Sequence, residues 1–504
     1  MQGAIAAGDP ALTGAAPPPP AGPDGEPAEI AATGPVAGTE PTPAGWVDEV
    51  LLGGADGDVC LVLGREVTRG ELRALVAEQQ HRLTEAGLTA GGTLALRLPP
   101  SLGYVALLLA GWRAGAQVSL LDHRLTQHEV DRALDRVGAQ FLVRATETVG
   151  HRLRGYAEVT TEVVAREDGR PAATAHSLVQ FSSGSTGASK VIARTAADLI
   201  AELGRYAVLD GYPARGERVV LLASIVHVLG LVGGLLHALH AGVVLHFPER
   251  LTADGILGAV AGRPEPATVL GVPFHAELLL GAADDTPTPA ALRRMVVAGE
   301  LVRPAVPPRF TARFGVPLGT MYGMTEYGVI ATDLDGTAWP SVVPTAGTRV
   351  RADRGELLLG MAASPYLGLS DPTRFADGWL RTRDAATVGP DGTVTILGRL
   401  DSQVSIGGLK VDLTEVEQAL AGMPEVAEVV VLHDGDIEAY LALADGGTAD
   451  AVRAALAREL APFKRPRRMH VVPQLPRTAT GKIVRDPAAL RPLARTADPR
   501  EDTR

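Results

Sequence analysis

From residue 46 to about residue 355 the chain alternates short apolar runs with longer segments of helical periodicity, and this rhythm limits the folds open to it. "DVCLVLG" leads into "TRGELRALVAEQQHRLTEAGL", and "TLALRLP" leads into "SLGYVALLLAGWRAGA". The first helical segment repeats its apolar residues at Leu72, Leu75, Val76 and Leu83, and Thr68 followed by Glu71 predicts a capping box at its start. Strands that alternate with helices predict an α/β fold, in which each sheet buries its faces under the helices. Further runs, "VVLLAS", "GVVLHF", "ATVLGVP" and "RMVVAGE", end near Gly or Pro turns. The carboxyl ends of such strands are where α/β folds place ligands.

The balance of the whole chain excludes several classes. Its 504 residues, 46% of them hydrophobic, can fill more than one core. A formal net charge of -11 argues against a nucleic-acid binder. With Cys60 as its one cysteine, the chain has neither a disulfide framework nor a thiolate-rich metal site, which suits a reducing, cytoplasmic setting. The most apolar stretch, "LLASIVHVLGLVGGLLHALHAGVVLHF", is broken by His227, His237, His240 and several glycines. It predicts a buried segment of a soluble protein rather than one of the spans of about twenty apolar residues that cross a bilayer.

Composition also marks boundaries. Residues 1–42 are dominated by Ala, Pro and Gly and carry acids but no Lys or Arg, as expected of a disordered tail. Residues 43–400 form the expected large N-terminal domain. Its last part, from "GELLLG" on, shifts to β-hairpin material with "PDG" as a turn. After "GRLD", the pattern strand, helix, strand, strand, helix, strand predicts a compact α+β unit over residues 401–492, and residues 493–504 read as a loose end.

"SSGSTGASK", residues 182–190, lies between the strand-like "HSLVQF" and "KVIAR". Gly184, Gly187 and Lys190 do not have Walker spacing, and no helix follows directly. A polar hairpin turn is one reading. The other is a phosphate cradle, since glycines admit close backbone approach, hydroxyls donate to phosphate oxygens and a lysine supplies charge.

This loop is followed, in order, by "MYGMTEYG", "GELLLG", "GWLRTRDAATVGPDGTVTILGRLD", "GGLKVDLTEVE" and "LPRTATGKIVR". Taken together, these motifs resemble those of the acyl-adenylate-forming superfamily, which includes acyl-CoA synthetases, adenylation domains of nonribosomal peptide synthesis and luciferases. The resemblance covers roughly residues 46 to 490. It implies an α/β fold with a large N-terminal domain of stacked sheets and helices, a small mobile α+β C-terminal domain, and an active site between them. The implied activity joins a carboxylic acid to ATP as an acyl-AMP, releases pyrophosphate, and transfers the acyl group to a pantetheine thiol.

The same resemblance implies the site residues. Ser182, Ser183, Gly184, Ser185, Thr186, Gly187 and Lys190 would hold the β- and γ-phosphates, Thr325 the α-phosphate and Glu326 a Mg²⁺. Tyr322 and Gly323 would lie along the adenine, with Gly299 nearby, and Glu300 at the adenine or at the pocket edge. Asp384 would grip the ribose hydroxyls and Arg399 would make a further nucleotide contact, although Arg399 and Asp401 could equally form a turn-stabilising ion pair. Asp401 would be the hinge of domain rotation, and Lys482 would bridge the carboxylate and the α-phosphate. Where the superfamily has Thr-Gly-Asp, this chain reads Thr382-Arg383-Asp384, which puts an arginine at a glycine position.

For the second step, Gly408 and Lys410 would line the pantetheine tunnel, and many relatives carry a lysine where Ser405 stands. His227 either gates the passage between acyl pocket and tunnel or is a packed core residue. Val228, Phe274 and His275 would help line a mostly apolar acyl pocket. The segment Ser224-Ile225-Val226-His227 offers no acid to an ammonium group, which disfavours a free amino acid and suits an aromatic or medium aliphatic acid. The expected cosubstrates are ATP with Mg²⁺ and coenzyme A, with the phosphopantetheine of an acyl carrier protein or an amine as alternative acceptors. "FKRPRR", residues 463–468, could hold the coenzyme A 3′-phosphate or be a solvated strand edge. A non-catalytic nucleotide or acyl sensor is the reading from a different class, and the retained Lys190, Glu326 and Lys482 argue against it.

Overall fold

The structure, a computed structural model, describes residues 45–147, 154–182, 190–283, 285–400, 402–476, 483–485 and 487–497. The expected tail at 1–42 and the residues from 498 on lie outside these. Trp46, near the start of the described chain, is fully buried and packs on Trp112 with ring centroids 5.2 Å apart.

Two large sheets carry the N-terminal part. In the nine-stranded sheet, strands Val59–Leu63, Val244–Phe247, Arg218–Leu221, Ala267–Gly271, Leu292–Ala298 and Leu318–Met324 run parallel, with antiparallel edges. In the six-stranded sheet the parallel centre is Phe141–Ala145, Thr93–Arg97, Gln117–Leu120 and Leu178–Ser182. One continuous apolar core joins the two sheets and includes Leu61, Leu94, Val118, Leu178, Leu221 and Leu245. The predicted capping box is present: Thr68 accepts from the Glu71 N–H at 3.2 Å, and the Glu71 carboxylate accepts from the Thr68 N–H at 2.9 Å.

The most apolar stretch is buried in this core, as expected. Leu229–Leu236 winds as a π-type helix and continues into the α-helix His237–Ala241. Glycine permits the close packing there, since a Cβ on Gly230 would sit 2.3 Å from the Ser224 carbonyl oxygen. Among the described residues no helix is long and apolar enough to cross a membrane.

A five-stranded antiparallel sheet over Val350–Arg399 completes this part. From Gln403 on, a two-stranded hairpin (Gln403–Ile406 with Leu409–Asp412) and a three-stranded sheet (Val426–Asp434, Asp436–Leu443, Arg468–Val471) surround a core of their own, including Val416, Val431, Leu441 and Leu456. Residues 493–497, expected to be loose, instead continue the helix Pro487–Ala497. Leu490 and Leu493 anchor it against Val430, Tyr440, Val472 and Leu475.

Candidate active site

The phosphate-loop segment is a β-hairpin: Leu178–Ser182 pairs antiparallel with Lys190–Arg194, Ser182 opposite Lys190. Residues 183–189 lie outside the described residues, so of the phosphate cradle only the Ser182 backbone and Lys190 can be placed. Three sets of contacts fix this hairpin. The buried Arg194 and Glu202 pair at 2.6 Å, and the other Glu202 oxygen accepts from the Val329 N–H at 3.0 Å, tying the hairpin to the strand that follows "YGMTEYG". Gln180 donates to the Val226 carbonyl at 2.6 Å, which ties it to the segment bearing His227. The hairpin's outer strand also pairs with residues 365–367, through the Ala193 N–H to the Pro365 carbonyl (3.0 Å) and the Leu367 N–H to the Val191 carbonyl (2.8 Å).

That last pairing brings in Tyr366, a residue the motif reading missed. Its hydroxyl donates to Glu326 at 3.1 Å, and the Lys190 ammonium lies 5.8 Å from its ring centroid. Burial raises the Glu326 carboxyl above the ordinary glutamate range, against the opposing pull of Lys190 and the Tyr366 hydroxyl. Among the described residues no group of three or more His, Cys, Asp and Glu side chains could hold a metal. A Mg²⁺ bound through substrate phosphates needs only one or two carboxylates, a number the buried Glu326 could supply.

A second cluster stands beside it. The Tyr322 hydroxyl donates to Asp384 at 2.5 Å, and Arg399 donates to the other Asp384 oxygen at 3.0 Å. Arg399 is the cross-strand partner of Asp384, so sheet register makes this pair. Burial raises the Asp384 carboxyl, and Arg399 and Tyr322 oppose that shift. Tyr322 therefore contacts the aspartate expected to bind ribose. Gly323 sits at a register shift in its strand, where a Cβ would meet the Gly328 carbonyl oxygen at 2.6 Å. The Arg383 backbone is left-handed, φ 63°, at the position where the superfamily has glycine. Its N–H donates to Glu356 at 2.9 Å and its guanidinium to the Thr373 carbonyl at 2.9 Å, contacts that hold the strained residue in place.

The C-terminal part docks on this site. The Gly408 N–H donates to the Glu300 carboxylate at 2.6 Å, and the Lys410 ammonium donates to the Gly299 carbonyl at 2.5 Å. Gly299 itself has φ 95°. Glu300 is thus at the domain interface. Further out, Lys464 bridges Glu129 (2.8 Å) and Glu415 (3.0 Å), all three buried.

Between the two parts lies a cavity of about 320 Å³. Gln180, His227 and Thr325 line it from the large domain, and Leu409 and Lys410 from the small one. His227 Nε2 is buried and has no hydrogen-bond partner among the described residues, and burial lowers the imidazole's proton affinity. The sequence reading missed Asp122, another lining residue. Burial would raise its carboxyl, but the Arg124 fork, at 2.8 and 2.5 Å, outweighs that and holds it below the usual carboxylate range.

Three residues expected at the acyl pocket do not line this cavity. Val228 packs against the main core. Phe274 is 52% exposed. His275 accepts the Val272 N–H at 3.1 Å, occupied as a cap on the helix Pro273–Leu280. Ser405, where relatives carry lysine, has a buried hydroxyl with no partner among the described residues. "FKRPRR" runs into the edge strand Arg468–Val471, where Arg467 and Arg468 stay exposed. Lys464 is buried between carboxylates, Arg465 donates to the Leu460 and Ala457 carbonyls (2.7 and 2.9 Å), and Arg467 and Arg468 pair with Asp436 and Glu438. Lys482 and Asp401 lie outside the described residues. Near Lys482, Ile483 packs in the C-terminal core and Arg485 pairs with Glu417.

Two clusters of buried carboxylates with cations, a hairpin carrying a lysine and a cavity at a docked second domain suit an enzyme that handles a phosphorylated substrate. Residues 53–358 match the AMP-binding enzyme family and residues 415–482 the AMP-binding enzyme C-terminal domain, and the chain belongs to that family. It is 29% identical over 500 residues to the 4-hydroxybenzoate–CoA/benzoate–CoA ligase of Rhodopseudomonas palustris, covering 87% of this chain and 92% of that one. It is 27% identical over 503 residues to the p-hydroxybenzoic acid–AMP ligase FadD22 of Mycobacterium tuberculosis, covering 88% of this chain and 66% of that one. Its fold is that of the o-succinylbenzoate CoA synthetase of Bacillus subtilis, with a TM-score of 0.74 and 22% identity over 88% of this chain and 98% of that one.

Proposed function

We propose that the protein activates an aromatic carboxylic acid with ATP and passes the acyl group to coenzyme A. The observation that carries this reading is the pair of neighbouring clusters, Asp384–Tyr322–Arg399 and Glu326–Tyr366–Lys190, with Thr325, next to Glu326 in the chain, lining a cavity that Leu409 and Lys410 also line. The aromatic preference is supported by the relatives named for benzoate and hydroxybenzoate. It is also supported by the absence of any acid in Ser224-Ile225-Val226-His227 that could meet an ammonium group.

In the first step a carboxylate oxygen attacks the α-phosphorus and the bond to the bridging oxygen breaks, so that pyrophosphate leaves. Two anions meet, so the chain's task is to neutralise charge. Lys190 and the residues 182–187 hold the β- and γ-phosphates, Thr325 the α-phosphate, and Asp384 the ribose diol, with Arg399 holding Asp384 in place. Glu326 would hold Mg²⁺, which supplies charge neutralisation on the phosphates. Lys482, in "TATGKIVR", bridges carboxylate and phosphate. In the second step the pantetheine thiol loses its proton and attacks the acyl carbon, and AMP leaves with the electron pair of the broken acyl–oxygen bond. His227, neutral and with an unpartnered nitrogen in the cavity wall, gates that passage.

Acid-dependent ATP–pyrophosphate exchange across panels of aromatic acids, aliphatic acids and amino acids tests this reading. Exchange is expected with substituted benzoates, and Lys482→Met is expected to lower it about 10²–10³-fold, the cost of losing one transition-state contact. Exchange confined to amino acids would overturn the reading.

A further inference from the structure

Tyr366 lies between the strands Glu356–Gly360 and Phe375–Ala376, in a segment that runs alongside the hairpin strand Lys190–Arg194. Backbone pins it on both sides: Tyr366 bridges Ile192, and the Ala193–Pro365 and Leu367–Val191 hydrogen bonds flank that bridge. The residue is 8% exposed and belongs to a core cluster with Ile192, Ile330 and Leu380. A buried tyrosine needs an acceptor for its hydroxyl, and any carbonyl would serve a purely structural one. Here the acceptor is the Glu326 carboxylate, at 3.1 Å, and the ring is turned to the Lys190 ammonium. A phenol suits both neighbours, since its O–H donates to an anion while its π face attracts a cation. Among the described residues no other side chain hydrogen-bonds to Glu326. The orientation of that carboxylate therefore depends on Tyr366, whose own place is set by the backbone of two other segments.

We infer that Tyr366 is a positioning residue of the first half-reaction, holding the Glu326 carboxylate toward the Mg²⁺ that accompanies ATP and steadying Lys190 beside it, with no part in the later acyl transfer. This rests on the proposed adenylating activity and on Glu326 as the Mg²⁺ ligand.

Tyr366→Phe removes the hydroxyl and keeps the ring, so it isolates the bond to Glu326. In isothermal titration with α,β-methylene-ATP, which cannot release pyrophosphate, the gain in affinity that Mg²⁺ brings should shrink about tenfold, the scale of one hydrogen bond to a charged group, and binding without Mg²⁺ should not change. In pyrophosphate exchange the half-saturating Mg²⁺ concentration should rise by a similar factor. There kcat at saturating Mg²⁺ should stay near that of the parent, and thioester formation from supplied acyl-AMP should be unchanged. Tyr366→Leu, which also loses the ring face, should in addition raise KM for ATP at saturating Mg²⁺. An unchanged Mg²⁺ dependence, or an equal loss in the step supplied with acyl-AMP, overturns the inference and leaves the activity standing. So does a lowered melting temperature as the sole effect, or a parent protein whose binding of the analogue gains nothing from Mg²⁺. A protein that exchanges with no acid overturns the activity, and this inference with it; the titration, which needs no turnover, tells the two failures apart.

Discussion

The carboxylate of Glu300, just past the strand Leu292–Ala298, accepts the backbone N–H of Gly408 across the domain interface at 2.6 Å. This bond and the neighbouring Lys410–Gly299 contact fix the arrangement in which the "GGLK" loop faces the cavity. Residues flanking Lys482 pack at the same time within the C-terminal part. Such an arrangement suits the second half-reaction. A turn of the small domain that brought Lys482 to the phosphates would have to break the Glu300–Gly408 contact.

Gly408 has φ 82°, and a Cβ there would lie 2.6 Å from Val272 Cγ1. Gly408→Val should therefore prevent docking. Acyl transfer from supplied acyl-AMP is expected to fall about 100-fold, the scale of loss when reacting groups are displaced by about 1 Å. Pyrophosphate exchange should be unaffected, and rapid-quench measurement of the two half-reactions separates them.

Glu129→Gln keeps the capping box of its helix, since glutamine also serves at that position, but it removes one charge facing Lys464. The change weakens the docked arrangement and leaves the N-terminal helix intact. We expect a several-fold loss in the thioester half-reaction with unchanged adenylation and unchanged melting temperature.

Arg383 carries a left-handed backbone that costs a non-glycine residue roughly 1–2 kcal/mol. Arg383→Gly should stabilise the protein by up to about 1 kcal/mol, because glycine relieves the strain while losing more freedom on folding. Urea denaturation checks this, and Arg383→Ala should show no such gain.

His237 is fully buried, with Nε2 donating to the Pro213 carbonyl at 2.8 Å and Nδ1 without a partner among the described residues. Burial pushes its pKa down to about 4 from 6.5. The folded state thus binds this proton less readily than the unfolded chain, so stability is lost as pH falls below about 6.5 and down to about 4. The loss from this one group approaches about 1.4 kcal/mol per pH unit in that window. His275 and His246, each also lowered to about 4 by burial, add in the same sense. Thermal melts between pH 7.5 and 4.5 should show the decline, and His237→Gln should reduce its slope while His275 and His246 keep the rest.

The fold was legible because hydrophobic rhythm and end signals agree: Thr68 with Glu71, and the hairpin of Leu178–Ser182 with Lys190–Arg194, lie where local pattern puts them. Asp384, Arg399 and Tyr322 were named only through the resemblance, and the contacts among them, made by sheet register and tertiary packing, were not foreseen. Tyr366, Gln180 and Glu202 were not legible, because each makes its contact through tertiary pairing of segments distant in sequence, and no periodicity encodes that. Nor do apolar and imidazole side chains near a strand end reveal whether they face a cavity, a helix cap or solvent: Phe274 is exposed and His275 caps a helix.

The central claim is tested most directly by mass spectrometry of the purified protein incubated with ATP, Mg²⁺ and a pool of aromatic and aliphatic acids, with and without coenzyme A. The account predicts AMP and pyrophosphate in step with one aromatic acid, and a single new aroyl-CoA when coenzyme A is present. ATP left intact with every acid in the pool would contradict it.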